Sequence, residues 1–280
     1  MTVHSAEASV ARHYTHGGLE AAIREALAAS GKDPAALVPA DLSPVDEFHI
    51  GGRAATEHFA RSLALAPGLC LLDIGCGIGG AARYFAAEHG VAVTGIDLTE
   101  EYVAVAVALA GWVGLSGQVS YRQASALDLP FADASFDRAT MLHIGMNIAD
   151  KTRLVAEAAR VLRPGGRLGI YDVMRTGDGA LAFPVPWAAD EATSFLAPVG
   201  AYLAALAAAG LEIDGEQSRR DFAIGFFETL GARLREQGGP PPLGLHILMG
   251  AEAPAKIANM VRNIEAGLIA PVEIVARKPE

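Results

Sequence analysis

The residues best suited to chemistry lie where a short apolar run meets an acid and then breaks into glycines: Leu69-Cys70-Leu71-Leu72-Asp73-Ile74-Gly75-Cys76-Gly77-Ile78-Gly79-Gly80. Such a run reads as a buried parallel strand ending in a tight turn. Gly75 and Gly77 permit positive φ and let a ligand approach where a Cβ would collide. The helix expected next, from Gly79 to His89, aims free N–H groups at the turn. A second apolar run, residues 91–96, ends at Asp97, about twenty residues beyond Gly77, the spacing at which a carboxylate meets ribose hydroxyls. The pair reads as a nucleoside-binding crevice at the carboxyl ends of parallel strands. Gly75, Gly77 and Gly80 also satisfy G-x-G-x-x-G, so the glycines alone leave a dinucleotide open.

The elements needed to hold these residues recur in order. Apolar runs at 119–122, 136–142, 167–172, 211–213 and 272–276 read as further strands, and amphipathic stretches between them as helices. Leu19, Ile23 and Leu27 make one helical stripe, whereas Pro34, Pro39, Asp41 and Pro44 suggest an irregular connection. The expected fold is α/β, a doubly wound, Rossmann-like, seven-stranded mixed sheet with an α-helical cap. Its parts are a helical cover over 1–65, a core over 66–220, a helical cap insertion over 221–270 and a last strand over 271–280.

Three ordered stretches resemble class I S-adenosylmethionine (SAM) dependent methyltransferases: the Leu-Leu-Asp-Ile-Gly-Cys-Gly turn, Phe136-Asp137-Arg138-Ala139-Thr140, and Arg160 to Gly166. Dinucleotide folds usually carry an apolar residue where Asp73 stands. The resemblance covers roughly 45–215, and residues 48–52 and 143–151 are similar to the quinone and sarcosine–dimethylglycine group. It implies SAM as cofactor, with contacts from Asp73, Gly75, Gly77, Asp97, Leu98, Ser125, Ala126, Met141 and Leu142, and lid contacts from Tyr14, His49 and Gly51. His49 could equally cap the next helix. Ser125 stands where relatives carry the acid that accepts from the adenine amino group. A hydroxyl accepts more weakly, so Ser125→Asp should hold or improve cofactor affinity.

The resemblance also places His143 beside the transferable methyl as a general base, its ordinary pKa near 6.5 suiting that work. The alternative is a ring that only packs or hydrogen-bonds. Asn147 could orient an acceptor or cap a turn; Tyr171 or Asp172 would line the pocket, and Trp187, Phe195, Phe226 and Phe227 could form an apolar wall. A metal held by His49, His143 and His246 would need three distant loops to converge, so none is expected. Motif IV of nucleobase amino-methyltransferases is absent, Leu142-His143-Ile144-Gly145 standing there.

Bulk properties narrow the partner. With 280 residues, 51% hydrophobic and 19% charged, the chain can bury a sizeable core. A net charge of −10 argues against nucleic acid or an anionic membrane surface. Two uncharged windows, 102–121 and 192–211, are long enough to span a bilayer but are broken by Gly and Pro. Residues 1–14 lack the apolar core of an export signal. Cys70 and Cys76 sit too far apart along an extended strand for a disulfide. The expectation is a cytoplasmic enzyme, acting alone or as a homodimer, that methylates a small molecule at carbon, nitrogen or oxygen. The rivals are a nicotinamide-dependent oxidoreductase and a non-catalytic SAM-binding protein.

Overall fold

A computed structural model of the chain describes residues 3–280. Four helices come first: α1 (Val3–Tyr14), α2 (Leu19–Ala29), α3 (Pro39–Asp46) and α4 (Gly52–Ser62). The core follows as β1 (Cys70–Ile74), α5 (Gly80–His89), β2 (Ala92–Asp97), α6 (Glu100–Trp112), β3 (Val119–Gln123), β4 (Phe136–Leu142), α7 (Lys151–Val161), β5 (Leu162–Arg175), α8 (Val199–Ala208) and β6 (Glu212–Ser218). Helices α9 (Arg220–Glu236), α10 (His246–Met249) and α11 (Ala253–Glu265) precede the last strand, β7 (Ile269–Arg277).

The strands form one seven-stranded sheet in the order β3-β2-β1-β4-β5-β7-β6, bearing out the mixed doubly wound sheet. β1 to β5 are parallel; β7 enters antiparallel between β5 and β6. Strand order reverses between β1 and β4, which opens a crevice at their carboxyl ends. Alternation along β1 sends Leu71 to one face, among Phe59, Phe85 and Val93, and Leu72 to the other, among Leu154, Ala158 and Met141. Both leucines are fully buried, and truncating either to Ala would cost about 2–5 kcal/mol.

Two local expectations fail. The proline-dotted stretch is irregular only over 31–38, where Pro34 lies: Pro39 opens α3, where its missing N–H costs nothing. Pro44 lies inside that helix, and Ser43 Oγ donates to Ala40 O at 2.9 Å, the carbonyl that Pro44 has no N–H to serve. The last strand is longer than 272–276 because every residue from Ile269 to Arg277 pairs with β5. Cys70 and Cys76 are free thiols. No helix among the described residues is long and apolar enough to cross a membrane.

Candidate active site

The crevice opens into a cavity of about 260 Å³, far more than the ~10–15 Å³ one water needs. At its floor Asp73, the fourth residue of β1, accepts from Thr140 Oγ1 at 2.8 Å on the neighbouring strand. Burial pushes its carboxyl up to about 7. The turn after β1 bends through Gly75 and Gly77, both at positive φ. They serve different ends. A Cβ on Gly75 would meet Ile144 Cγ2 at 2.2 Å, whereas one on Gly77 would meet nothing within 4 Å. Gly75 is a packing glycine; Gly77 leaves an open cradle.

Asp97, at the tip of β2, braces that cradle. Its Oδ2 accepts from Gly77 N–H at 2.9 Å and its Oδ1 from Thr99 N–H at 2.8 Å. Burial raises its pKa while these N–H groups work against the rise. Thr99 starts α6 without a side-chain cap. Past β3, Ser125 Oγ accepts from Leu127 N–H at 3.0 Å and donates to Glu7 of α1. The first helix therefore brings a carboxylate to position 125, where the loop has a hydroxyl instead of an acid.

The tip of β4 carries His143 at φ 55. Its Nδ1–H donates to Tyr171 O at 3.0 Å, and its Nε2 accepts from Ile50 N–H at 3.2 Å. Burial holds the imidazole down to about 3, so it is neutral. The His49 ring lies 5.9 Å away, with Nε2 directed at Gly52 O at 3.1 Å and its pKa lowered by burial to about 4. The turn carrying His49 is anchored by two buried acids: Asp46 pairs with Arg83 of α5 at 2.7 Å, and Glu47 accepts from Thr56 Oγ1 at 2.7 Å. Asn147, just beyond His143, donates from Nδ2 to Tyr14 Oη at 2.9 Å. Beyond the strand tips the cavity continues between Met146, Trp187, Phe226, Leu248 and Met260, from five different segments.

Residues 72–170 match a family model described as a methyltransferase domain. That match falls on β1 to β5, so this core is similar to class I SAM-dependent methyltransferase domains. The chain is 40% identical over 133 residues to the O-methyltransferase resE of Aspergillus sclerotiorum, covering 48% of this chain and 50% of that protein. It is 34% identical over 190 residues to the 27-O-demethylrifamycin SV methyltransferase of Amycolatopsis mediterranei, covering 66% and 59%. The chain spans about half the length of the curated O-methyltransferase relatives it matches. Two solved structures extend over nearly the whole chain. The 4+2 cyclase SpnF is 26% identical, with a TM-score of 0.65 and 94% of each chain covered. Geranyl diphosphate C-methyltransferase from Streptomyces coelicolor shares the fold at 18% identity, with a TM-score of 0.69 and 98% of each covered.

Within this methyltransferase fold the cavity wall gathers Tyr14, His49, Asp73, Gly75, Gly77, Asp97, Leu98, Ala126, Leu142, His143, Asn147, Trp187 and Phe226. Four other candidates stay off it. Gly51 caps α4 at φ 94, packed on Phe222 and Ala55. Ser125 turns to Glu7 and the loop backbone. Met141 packs beneath the sheet among Leu154 and Ala158. Tyr171 is buried, its Oη donating to Ile50 O at 2.9 Å. Asp172 and Phe195 also miss the wall, Asp172 accepting from Tyr202 Oη at 2.6 Å. His246 does not join His49 and His143, and no three His, Cys, Asp or Glu side chains converge as a metal site among the described residues. Sequence reasoning missed Glu7, Asp46, Phe48, Tyr102, Leu248 and Met260 on the wall. Nothing local marks Glu7; the others look like ordinary core or surface positions until the cover closes.

Proposed function

We propose that this protein transfers a methyl group from SAM to a small-molecule acceptor by in-line displacement, releasing S-adenosylhomocysteine. The observation that carries this reading is the juxtaposition of Asp73, the open Gly77 cradle and Asp97 at the point where strand order reverses, beneath an apolar chamber. The donor set suits that cofactor: buried carboxylates face a molecule bearing cationic groups and ribose hydroxyls, and Tyr102 Oη is a buried, unpartnered polar atom on the same wall. Asp97 would hold the ribose, the Ala124–Leu127 loop with Glu7 the adenine, and Asp73 the positively charged end.

When bound, SAM supplies an activated methyl on a sulfonium leaving group. The protein's part is alignment and exclusion of water, and positioning alone is worth roughly 7–11 kcal/mol of barrier. His143 acts here as a strut between the β4 tip and the cover rather than as a base, because both its nitrogens are engaged. Helices α1 to α4 and α9 to α11 close the chamber from two sides. We read the acceptor as a small molecule rather than nucleic acid, given the net charge of −10 and a cavity wall without Lys or Arg among the described residues. A cytoplasmic setting is supported by the two unpaired thiols. The sequence and the fold are both compatible with a homodimer.

The test is incubation with methyl-labelled SAM and a metabolite extract. Labelled product supports transfer. Tight nicotinamide cofactor binding without S-adenosylhomocysteine binding overturns it. The likeness to a cyclase over nearly the whole chain favours one second reading, rearrangement of a substrate without methylation; its product would be an unlabelled isomer.

A further inference from the structure

The far half of the cavity says what kind of molecule accepts the methyl. Its wall is Met146, Trp187, Phe226, Leu245, Met249 and Met260, with other aliphatic and aromatic side chains between them. No Lys or Arg lines any part of the cavity among the described residues; its charged side chains are Glu7, Asp46, Asp73, Asp97 and Asp150. Asp73 and Asp97 belong to the cofactor end. The others are engaged: Glu7 with Ser125, Asp46 with Arg83 at 2.7 Å, and Asp150 with Arg153 N–H at 2.8 Å as the cap of α7.

One polar pair faces this apolar space. Asn147 Nδ2 donates to Tyr14 Oη, which leaves Asn147 Oδ1 buried with no partner. A buried carbonyl oxygen without a donor is costly, and native sites fill such an atom with ligand or water. Tyr14 Oη receives the amide and keeps its own proton to give. A hydroxyl both gives and takes, so one hydroxyl of a ligand can answer both groups.

We infer, on the reading of this cavity as a methyl-transfer site, that the acceptor is an uncharged, largely apolar molecule presenting a hydroxyl to Asn147 Oδ1. A phosphate or carboxylate would be stripped of water with no cation to meet it. An ammonium would meet only carboxylates that already hold a partner: Arg83 on Asp46, whose Oδ1 alone is unpartnered, Ser125 on Glu7, and the first turn of α7 on Asp150.

The experiment begins with calorimetric titration of the full chain with S-adenosylhomocysteine. The saturated protein is then titrated with nonylphenol and decanol, each alongside its phosphate monoester, its methyl ether and the matching alkylamine. At least one alcohol should bind about tenfold or more tighter than its own phosphate, ether and amine. Asn147→Leu should erase the gap between alcohol and ether. Phe226→Arg, on a half-buried position, should weaken the alcohol and strengthen its phosphate, a reversal that unfolding cannot produce. The inference is overturned if neither alcohol binds, if a phosphate or amine binds as tightly as its alcohol, or if the alcohol–ether gap survives Asn147→Leu. Failure of the first titration would instead sink the cofactor reading and this inference with it.

Discussion

His143 Nε2 accepts a hydrogen bond from Ile50 N–H at 3.2 Å, joining the tip of β4 to the turn that leads into α4, 93 positions away. Its Nδ1 is held by Tyr171 O, so a residue placed for proton transfer instead ties three segments together. His143→Ala should therefore loosen the 47–52 turn and weaken S-adenosylhomocysteine binding. Turnover at saturating cofactor should stay within a few-fold of wild type. A kcat loss of about 10²–10⁴ with unchanged cofactor affinity would return the residue to the role of base.

The same burial governs acid stability. His143 and His49 are held at about 3 and 4, below the ordinary 6.5, so the unfolded chain binds their protons first. Their contribution is present in full above pH 6.5 and is lost as pH falls toward 4. Each proton bound only by the unfolded chain costs about 1.4 kcal/mol per pH unit. Comparing the Tm of wild type and His143→Phe at pH 7 and pH 5 checks this: the variant should lose less on acidification.

Asp73 predicts pH-dependent cofactor binding. With its carboxyl pushed up to about 7 in the free protein, cations arriving beside it must displace its proton at lower pH. The Kd for S-adenosylhomocysteine should tighten from pH 6 to pH 8 and level off above. Asp73→Asn should bind more weakly with a flat profile. An unchanged slope in the variant would remove Asp73 from the binding equilibrium.

Asp97 has two jobs, the Gly77 and Thr99 N–H groups and the expected ribose contact. Asp97→Ala should weaken S-adenosylhomocysteine binding by at least about tenfold, or 1.4 kcal/mol. Affinity within twofold of wild type in calorimetry would refute the ribose role.

Ser125→Asp reverses sign once the fold is known. The loop alone suggests that a carboxylate there would hold or improve affinity, but Glu7 already occupies the place. Two carboxylates would repel, so the single variant should bind S-adenosylhomocysteine more weakly and expose α1 to protease. Adding Glu7→Gln should restore both. Single-variant affinity at or above wild type would show that α1 does not close this end.

What the linear chain determined by itself was the end of the cavity formed at the tips of β1 and β2. Asp73, the glycine turn and Asp97 lie within one β-turn-α-β unit, where spacing alone decides geometry, and the seven-stranded sheet followed from apolar runs separated by helices. Tertiary structure decided the rest. Nothing near Glu7 says it will meet Ser125, 118 positions on, and nothing near Asn147 says that Tyr14 will take its amide. His143 is the sharpest case: its place after β4 was legible, but its partners Ile50 and Tyr171 come from the cover and from β5. Hydrogen bonds between distant segments follow from how amphipathic faces pack, and no local pattern encodes which polar group each packing brings opposite.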